Sequence, residues 1–350
     1  MIRSVLIHGD GIAACCCAQL LRTNGVPVAT TRSDRPRLPS LLLSENAQAL
    51  LSDVFETQEL FADAHQIRKR IVAWGPNAEP IVLPHSAKVV SEKDLLDRLW
   101  SRIPTSNISE SDNADWTIHS SHDNLFASLP EGKHFGSRVA CASSVLLKAS
   151  SDQDACWVES AETGWLFLLP TGRGSGSLIS VGEDPQSLLE RSHLIEDQIE
   201  SLTGPISQFS AYPRMLSTLC GESWLACGTA AISFDPLCGE GAGNAVREAI
   251  LAAAVIRAIC AGLAVAELLA LYSSRLTIGF LRHLEICQDF YSSGGDGPFW
   301  RAELDQLRKG IRSIRSRASS VPQPQYQLVG FELRRATPVD SRSLQHAALQ

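Results

Sequence analysis

Short apolar runs and helical periodicity alternate from the start of the chain. Residues 4–8 (SVLIH) form an apolar run suited to a parallel strand buried on both faces. A glycine turn at residues 9–14 (GDGIAA) follows, then a helical pattern that Gly25 stops, then a second strand from Val26. This order predicts a βαβ unit with a parallel sheet. Residues 41–61, with leucines at irregular helical spacing, predict a helix. Residues 70–74 and 80–83 predict two strands across the turn Gly75-Pro76-Asn77, with His85 just after the second. An amphipathic helix over residues 92–100 and a short strand at Trp116-Thr117-Ile118 come next.

From Ser137 the pattern becomes alternation, with Val139, Cys141, Ser143 and Val145 on one face. It continues through residues 156–159, 165–170 and 178–181, which predicts an antiparallel sheet spliced into the α/β chain. Residues 185–202 predict a helix. Residues 223–227 form another apolar strand, followed by a glycine-rich stretch and a long apolar helix from about Asn244. Helical patterns over 275–291 and 299–316 flank a break at 294–297, and a Pro/Gln/Ser-rich tail begins at Ser319. The expected fold is α/β (α+β): a Rossmann-like domain with an inserted antiparallel β-sheet domain and C-terminal helices. The expected boundaries are 1–60, 86–135 and 205–280 for the first domain, 61–85 and 136–204 for the sheet domain, and 281–350 for the helical region and tail. No internal repeat is visible.

Two glycine loops carry the candidate chemistry. The first reads GxGxxA: Gly9 permits a tight turn, Gly11 lets a pyrophosphate approach the backbone, and Ala14 allows close helix–strand packing. The acidic residue that should end the second strand is missing, since those positions read Thr30-Thr31-Arg32. A threonine hydroxyl could contact a ribose in its place. Arg32 is either a contact for a 2′-phosphate or a surface residue. The second loop, residues 228–243 (GTAAISFDPLCGEGAG), joins a strand to a helix. Pro236 fixes the turn, and Gly239, Gly241 and Gly243 exceed what a turn alone needs. Free N–H groups at such a junction suit an anion or an electron-rich ring edge.

Composition narrows the classes. A 350-residue chain with 44% hydrophobic and 20% charged residues can bury a large core in one or two domains. Its net charge of −7 and lack of a basic stripe exclude nucleic acid as an expected partner, and Arg68-Lys69-Arg70 is short enough for a solvated face. The ten cysteines show no CxxC pair and no Cys/His ligand spacing, so no metal site is expected. Cys15-Cys16-Cys17 reads as small buried side chains. A reduced, cytoplasmic protein is expected. The chain enters a strand within a few residues of Met1, which leaves no room for a signal peptide. Its most apolar run, residues 249–272, is interrupted by Arg257 and Glu267 and predicts a buried helix, not a membrane span.

With both loops placed, the chain resembles the two-domain FAD-dependent monooxygenases and the related flavin-dependent halogenases. Gly228-Thr229-Ala230-Ala231 and Asp235-Pro236-Leu237-Cys238-Gly239-Glu240-Gly241 match that superfamily's second flavin motif. Gly164-Trp165-Leu166-Phe167-Leu168-Leu169-Pro170 resembles a degenerate halogenase GWxWxIP segment, and Asp115-Trp116-Thr117-Ile118 the strand before a further FAD contact. The resemblance implies that the discontinuous first domain binds FAD and that the sheet domain holds the substrate. It implies FAD contacts from Gly9, Gly11, Ala14, Thr31, Arg32, Thr229, Asp235, Pro236, Gly239, Gly241, Ala242 and Gly243. Trp165 and Phe167 wall a substrate cavity on this reading, or are plain core on another. Thr229 stands where the family has Asp, which with the missing ribose acid implies loose FAD binding.

The resemblance also implies the chemistry. Reduced flavin activates O2 as an electrophilic oxygen donor, with NAD(P)H or reduced flavin as external reductant, although no separate NAD(P)H motif is present. His85 is a candidate acid/base group or a structural histidine. Cys238, with no base in view, reads as a packing residue. Halogenation requires a lysine beside the substrate tunnel, and Lys69 is the candidate by order; hydroxylation ranks above it. Residues 283–287 (HLEIC), Phe290-Tyr291 and Phe299-Trp300 look most like the flavoprotein maturases of tryptophylquinone oxidases. That likeness implies a peptidyl tryptophan of a partner oxidase or dehydrogenase as substrate. A non-enzymatic, FAD-fold chaperone for such a partner is the third reading.

Overall fold

A computed structural model describes residues 4–31, 37–103, 114–121, 129–319 and 325–336. Its first sheet has five strands in the order Cys220–Gly221, Trp224–Ala226, Trp116–His119, Val5–His8, Val28–Thr31. The last four run parallel, with Val5 opposite both Val28 and Trp116, and Ile118 opposite Leu225. The helix Ile12–Thr23 packs behind this sheet and buries Ala13, Ala14, Cys15, Cys16, Cys17 and Ala18. These small side chains let it lie close to the helix Gly241–Cys260: Cys17 Sγ is 3.7 Å from the Ala249 carbonyl oxygen and 4.0 Å from Cys227 Sγ. All ten cysteines are free thiols.

The second sheet has eight strands, ordered Ile199–Ser210, Val139–Leu147, Ser175–Val181, Gly164–Gly172, Ala155–Ala161, His65–Ala73, Ile81–Val90, Leu41–Ser44. Neighbours are antiparallel except for His65–Ala73 beside Ala155–Ala161. This is the expected mixed architecture, a parallel sheet carrying an antiparallel one. Three helices, Gly241–Cys260, Val265–Ser293 and Pro298–Ser319, complete the core with Tyr272, Phe280, Tyr291 and Trp300 fully buried. Among the described residues no helix is long and apolar enough to cross a membrane.

Several elements differ from expectation. The helix predicted over 41–61 is a strand, Leu41–Ser44, then a helix, Glu45–Val54. Leu41–Ser44 pairs with Ala87–Val90, and the Ser44 hydroxyl accepts the Ala47 N–H at 3.4 Å, which starts the helix only after Ser44. The helix predicted over 185–202 stops at Leu189. There the buried Glu159 carboxylate accepts the N–H groups of His193 at 2.7 Å and Ile195 at 3.0 Å, and this capture holds the segment as a loop. The apolar run 249–272 is two helices, broken where Gly262 takes φ 85°. Strands and helices also run across expected boundaries: Ile81–Val90 spans 85/86, Ile199–Ser210 spans 204/205 and Val265–Ser293 spans 280/281.

Candidate functional site

A cavity of about 340 Å³ opens between the two sheets, and both glycine loops line it. Gly11 and Ala13 come from the first loop, and Gly228, Thr229, Pro236, Gly239, Gly241 and Ala242 from the second. The large sheet supplies an apolar wall of Leu42, Phe167, Leu169, Ile179 and Phe209. Two glycines are set by packing. Gly9 has φ 113°, and a Cβ there would lie 2.3 Å from Ser121 Oγ. Gly228 has φ 55°, and its Cβ would lie 2.9 Å from both Ala13 Cβ and the Ser120 carbonyl oxygen. Gly241 is different: a Cβ there would meet nothing within 4 Å. Its bareness leaves space in the cavity and relieves no clash.

The helices Ile12–Thr23 and Gly241–Cys260 both begin at this cavity, through Gly11 and Gly241. Neither has a side-chain cap or an acidic residue in its first turn. Their first N–H groups and positive dipole ends therefore suit an electron-rich ligand. Ser40 Oγ lines the same cavity, buried and without a hydrogen-bond partner among the described residues. Two uncapped helix starts, an open glycine and an orphan hydroxyl fit a dinucleotide bearing a large flat ring. FAD has that form.

The structure gathers most of the expected contacts but not all. Gly11, Thr229, Asp235, Pro236, Gly239, Gly241, Ala242 and Phe167 line the cavity. Gly9 and Ala14 lie behind it, shaping the turn and the helix packing. Gly243 is not on the wall; its Cβ position is 3.5 Å from Ala47 Cβ. Thr31 Oγ1 lies 2.6 Å from His8 Nδ1 and also stands off the wall. Arg32 lies outside the described residues.

Three candidates stand away from the cavity wall, each for a physical reason. Trp165 does not line the cavity: it is buried, and its indole N–H donates to Tyr291 Oη at 3.1 Å. Strand alternation sends Phe167 the same way, but Phe167 lies one step nearer the cavity. His85 sits inside the strand Ile81–Val90, with Nε2 3.4 Å from Arg70 Nη2, and does not reach the cavity. Burial and the neighbouring guanidinium hold its pKa below the ordinary imidazole value. Lys69 Nζ lies 2.5 Å from Asp152 Oδ2 with 39% of its side chain exposed. Among the described residues no lysine lines the cavity.

Other functional side chains gave no motif. Glu248 lines the cavity, and its carboxylate accepts the Gly228 N–H at 2.6 Å. Burial pushes its pKa up to about 8, with the Gly228 hydrogen bond opposing. The signal that could have found it is spacing: Gly241, Ala245 and Glu248 share one helix face. Glu92, at the start of the helix Glu92–Ser101, also lines the cavity and accepts the Leu38 N–H at 2.6 Å. It brings a carboxylate that the second strand does not carry.

Asp235 is more than a loop residue. Its Oδ1 accepts the Leu237 N–H at 2.8 Å, and its Oδ2 accepts from Arg138 Nε at 2.8 Å and Tyr291 Oη at 3.0 Å. Arg138 also pairs with Glu303, whose other oxygen accepts from Ser137 N at 3.0 Å. The Asp235 N–H donates to His283 Nε2 at 2.9 Å. Cys238, His283 and Cys287 offer ligand atoms within 4.8 Å of one another, the one such grouping among the described residues. The His283 Nε2 lone pair is already taken by Asp235 N–H, so the trio is built as two thiols beside an imidazole.

No protein-family model and no curated protein sequence matches the chain. Solved structures do. The flavin-dependent halogenase CmlS superposes with a TM-score of 0.74 at 19% identity, over 91% of this chain and 72% of that one. QhpG, a peptidyl tryptophan dihydroxylase essential for tryptophylquinone cofactor biogenesis, gives 0.69 at 18% identity, over 96% and 86%. HpxO from Klebsiella pneumoniae, solved with FAD and uric acid, gives 0.63 at 15% identity, over 91% and 96%. With its two glycine loops closing on one cavity and its large antiparallel sheet forming the far wall, the chain has the fold of the flavin-dependent halogenases and monooxygenases.

Proposed function

We propose that this chain is an FAD-dependent monooxygenase that hydroxylates an electron-rich aromatic ring of the indole class, with a tryptophan side chain of a partner polypeptide as the substrate. The observation that carries the reading is the asymmetry of the cavity. Its loop side presents backbone N–H groups, and its sheet side presents Phe167, Leu169, Ile179 and Phe209. FAD held by the loops would supply, once reduced by NAD(P)H or a reduced flavin, the activation of O2. The residues present do the rest. Gly11, Gly241 and the two helix starts hold the dinucleotide, and Glu92 stands in for the missing ribose acid. Asp235, pinned by Arg138 and Tyr291, fixes the loop from Pro236 to Gly239 that would hold the flavin. The apolar wall excludes water and stacks the aromatic substrate. An indole carries its own electron density, so no strong base is needed at the ring. The likeness to QhpG supports a peptidyl substrate.

Halogenation is the less favoured reading because Lys69, the residue it requires, is paired with Asp152 away from the cavity. The test is FAD titration of the purified chain, followed by reduction and exposure to O2 with tryptophan-containing polypeptides, with and without halide. Saturable FAD binding and a halide-independent gain of oxygen on tryptophan are expected. A halide-dependent product would replace hydroxylation by halogenation. No binding at tens of micromolar FAD would remove the simple enzyme reading and leave a chaperone, or an enzyme whose cofactor site is completed only by its partner.

A further inference from the structure

The turn beside the cavity carries a thiol, Cys238, that the proposed aromatic oxidation does not use. Cys238 ends the turn Pro236–Cys238, immediately before Gly239 at φ 66°. It is partly exposed. Its Sγ lies 3.9 Å from Cys287 Sγ, and Cys287 Sγ lies 3.3 Å from His283 Nε2. Cys287 and His283 stand one turn apart on the helix Val265–Ser293, both buried. One thiol on the cavity turn, one thiol on a buried helix and one imidazole thus meet at a single point.

We propose that Cys238 is a peroxide-reactive thiol that closes a disulfide with Cys287. In the first step the Cys238 thiolate attacks one oxygen of hydrogen peroxide. The O–O bond breaks, Cys238 becomes a sulfenic acid, and hydroxide leaves. In the second step the Cys287 sulfur attacks the Cys238 sulfur, the S–O bond breaks, and the Cys287 proton leaves with the hydroxyl as water. Two thiols lose two electrons and one peroxide gains them.

The environment divides the roles. The Cys287 hydrogen bond, followed by His283, lowers the Cys238 pKa to about 6, with burial and the Asp235 carboxylate opposing. Cys287 is raised well above an ordinary thiol by burial, by Cys238 and by Asp235, with Arg138 on the far side opposing. Cys238 is therefore the attacking group and Cys287 the resolving one. Bond formation brings the sulfurs to about 2 Å from 3.9 Å. The helix holds Cys287, so the loop end supplies the movement, with Gly239 as its swivel. The other close pair, Cys17 and Cys227, is 4.0 Å apart, but both residues are fully buried, and among the described residues no imidazole bonds to either. A bound metal is the poorer use of the trio, because it would have to displace Asp235 N–H from His283. This chemistry needs peroxide and no flavin, so it stands or falls separately from the oxidation of an aromatic ring.

The test is a hydrogen peroxide titration of the reduced full-length chain, with alkylation, intact mass and peptide mapping. The expected product has lost the mass of two hydrogen atoms, carries a Cys238–Cys287 bridge, and returns to the dithiol with dithiothreitol. It forms about tenfold faster than any other cysteine product. Cys287→Ser should stop at one added oxygen on Cys238, trapped by dimedone, and Cys238→Ser should leave Cys287 unmodified. Both variants keep a hydroxyl of similar size, and circular dichroism checks their folding. Reaction first at Cys17–Cys227, an inert Cys238 in the folded chain, or one equivalent of zinc retained through Cys238 would each overturn the proposal.

Discussion

Arg138 Nε donates to Asp235 Oδ2 at 2.8 Å, and neither side chain is exposed to solvent. Asp235 begins the turn that lines the cavity, while Arg138 immediately precedes the strand Val139–Leu147 of the large sheet. The pair therefore ties the cavity loop to the sheet through the interior. A buried pair gains little net energy over apolar packing, but losing one partner strands the other. Asp235→Asn keeps the shape and removes the charge, leaving Arg138 with Glu303 alone. The expected cost is about 3 kcal/mol, read as a fall of several degrees in the midpoint of thermal unfolding. A change within one degree would mean that the ion pair does not hold the loop.

Glu248 makes stability depend on pH in an unusual direction for a carboxyl group. Its folded pKa is raised to about 8 from an ordinary 4.5, so the folded state holds the proton more tightly. Its contribution is fully present below pH 4.5 and is lost as pH rises towards 8. Glu248→Gln removes this loss and keeps an oxygen for the Gly228 N–H. The variant should match the parent at pH 5 and exceed it by about 1–3 kcal/mol at pH 8, measured by urea unfolding. An equal difference at both pH values would contradict the assignment.

Gly241 and Gly228 separate ligand space from backbone need. Gly241→Val places side-chain atoms where none are met, so thermal stability should stay within about 2 degrees while FAD affinity falls about tenfold or more. Gly228→Ala meets Ala13 and Ser120 at a left-handed φ and should cost about 1–3 kcal/mol of stability. Fluorescence titration with FAD and thermal unfolding, run on both variants, check the contrast. Equal losses of stability would assign Gly241 to the fold alone.

Thr229 lines the cavity next to Gly228, where the resembling family carries Asp. Thr229→Asp adds a charged acceptor, and a charge-assisted hydrogen bond contributes about 1.5–3 kcal/mol. FAD affinity measured by equilibrium dialysis should rise about tenfold. Unchanged affinity would show that the threonine already satisfies its side of the ligand.

What the residues disclosed in advance follows the range of each interaction. The βαβ unit and the loops at Gly9 and Gly239 rest on local turn chemistry, and the strands of residues 155–181 on period-two alternation. Both are written within a few neighbouring positions. The failures are tertiary. Residues 41–44 became a strand because Ala87–Val90 offers an edge, and residues 190–198 left the helix because Glu159, on another strand, captured their N–H groups. Cys238 looked inert because its partners stand on a helix placed by packing. Glu248 was missed because its place on the face of Gly241 and Ala245 gains meaning only when Gly228 is laid against it. Trp165 and Phe167 alternate correctly onto one face and pack with the same core, but alternation does not say how far along that face the cavity reaches.

The order of strands in the small sheet also sets a timetable. Val5–His8 lies between Val28–Thr31 and Trp116–His119, and Trp224–Ala226 closes the parallel set. The first glycine turn is packed by Ser121, and its helix is packed by Cys227 and Ala249. During synthesis the dinucleotide turn therefore leaves the ribosome early and waits for most of the chain before its walls exist. Such distant pairings close slowly, because each must overcome the entropy of a long loop. A nascent chain released before Gly241 would expose the apolar face of its first helix and hold no nucleotide. On the proposed reading, FAD capture would be a late event, coupled to the arrival of the chain's last third.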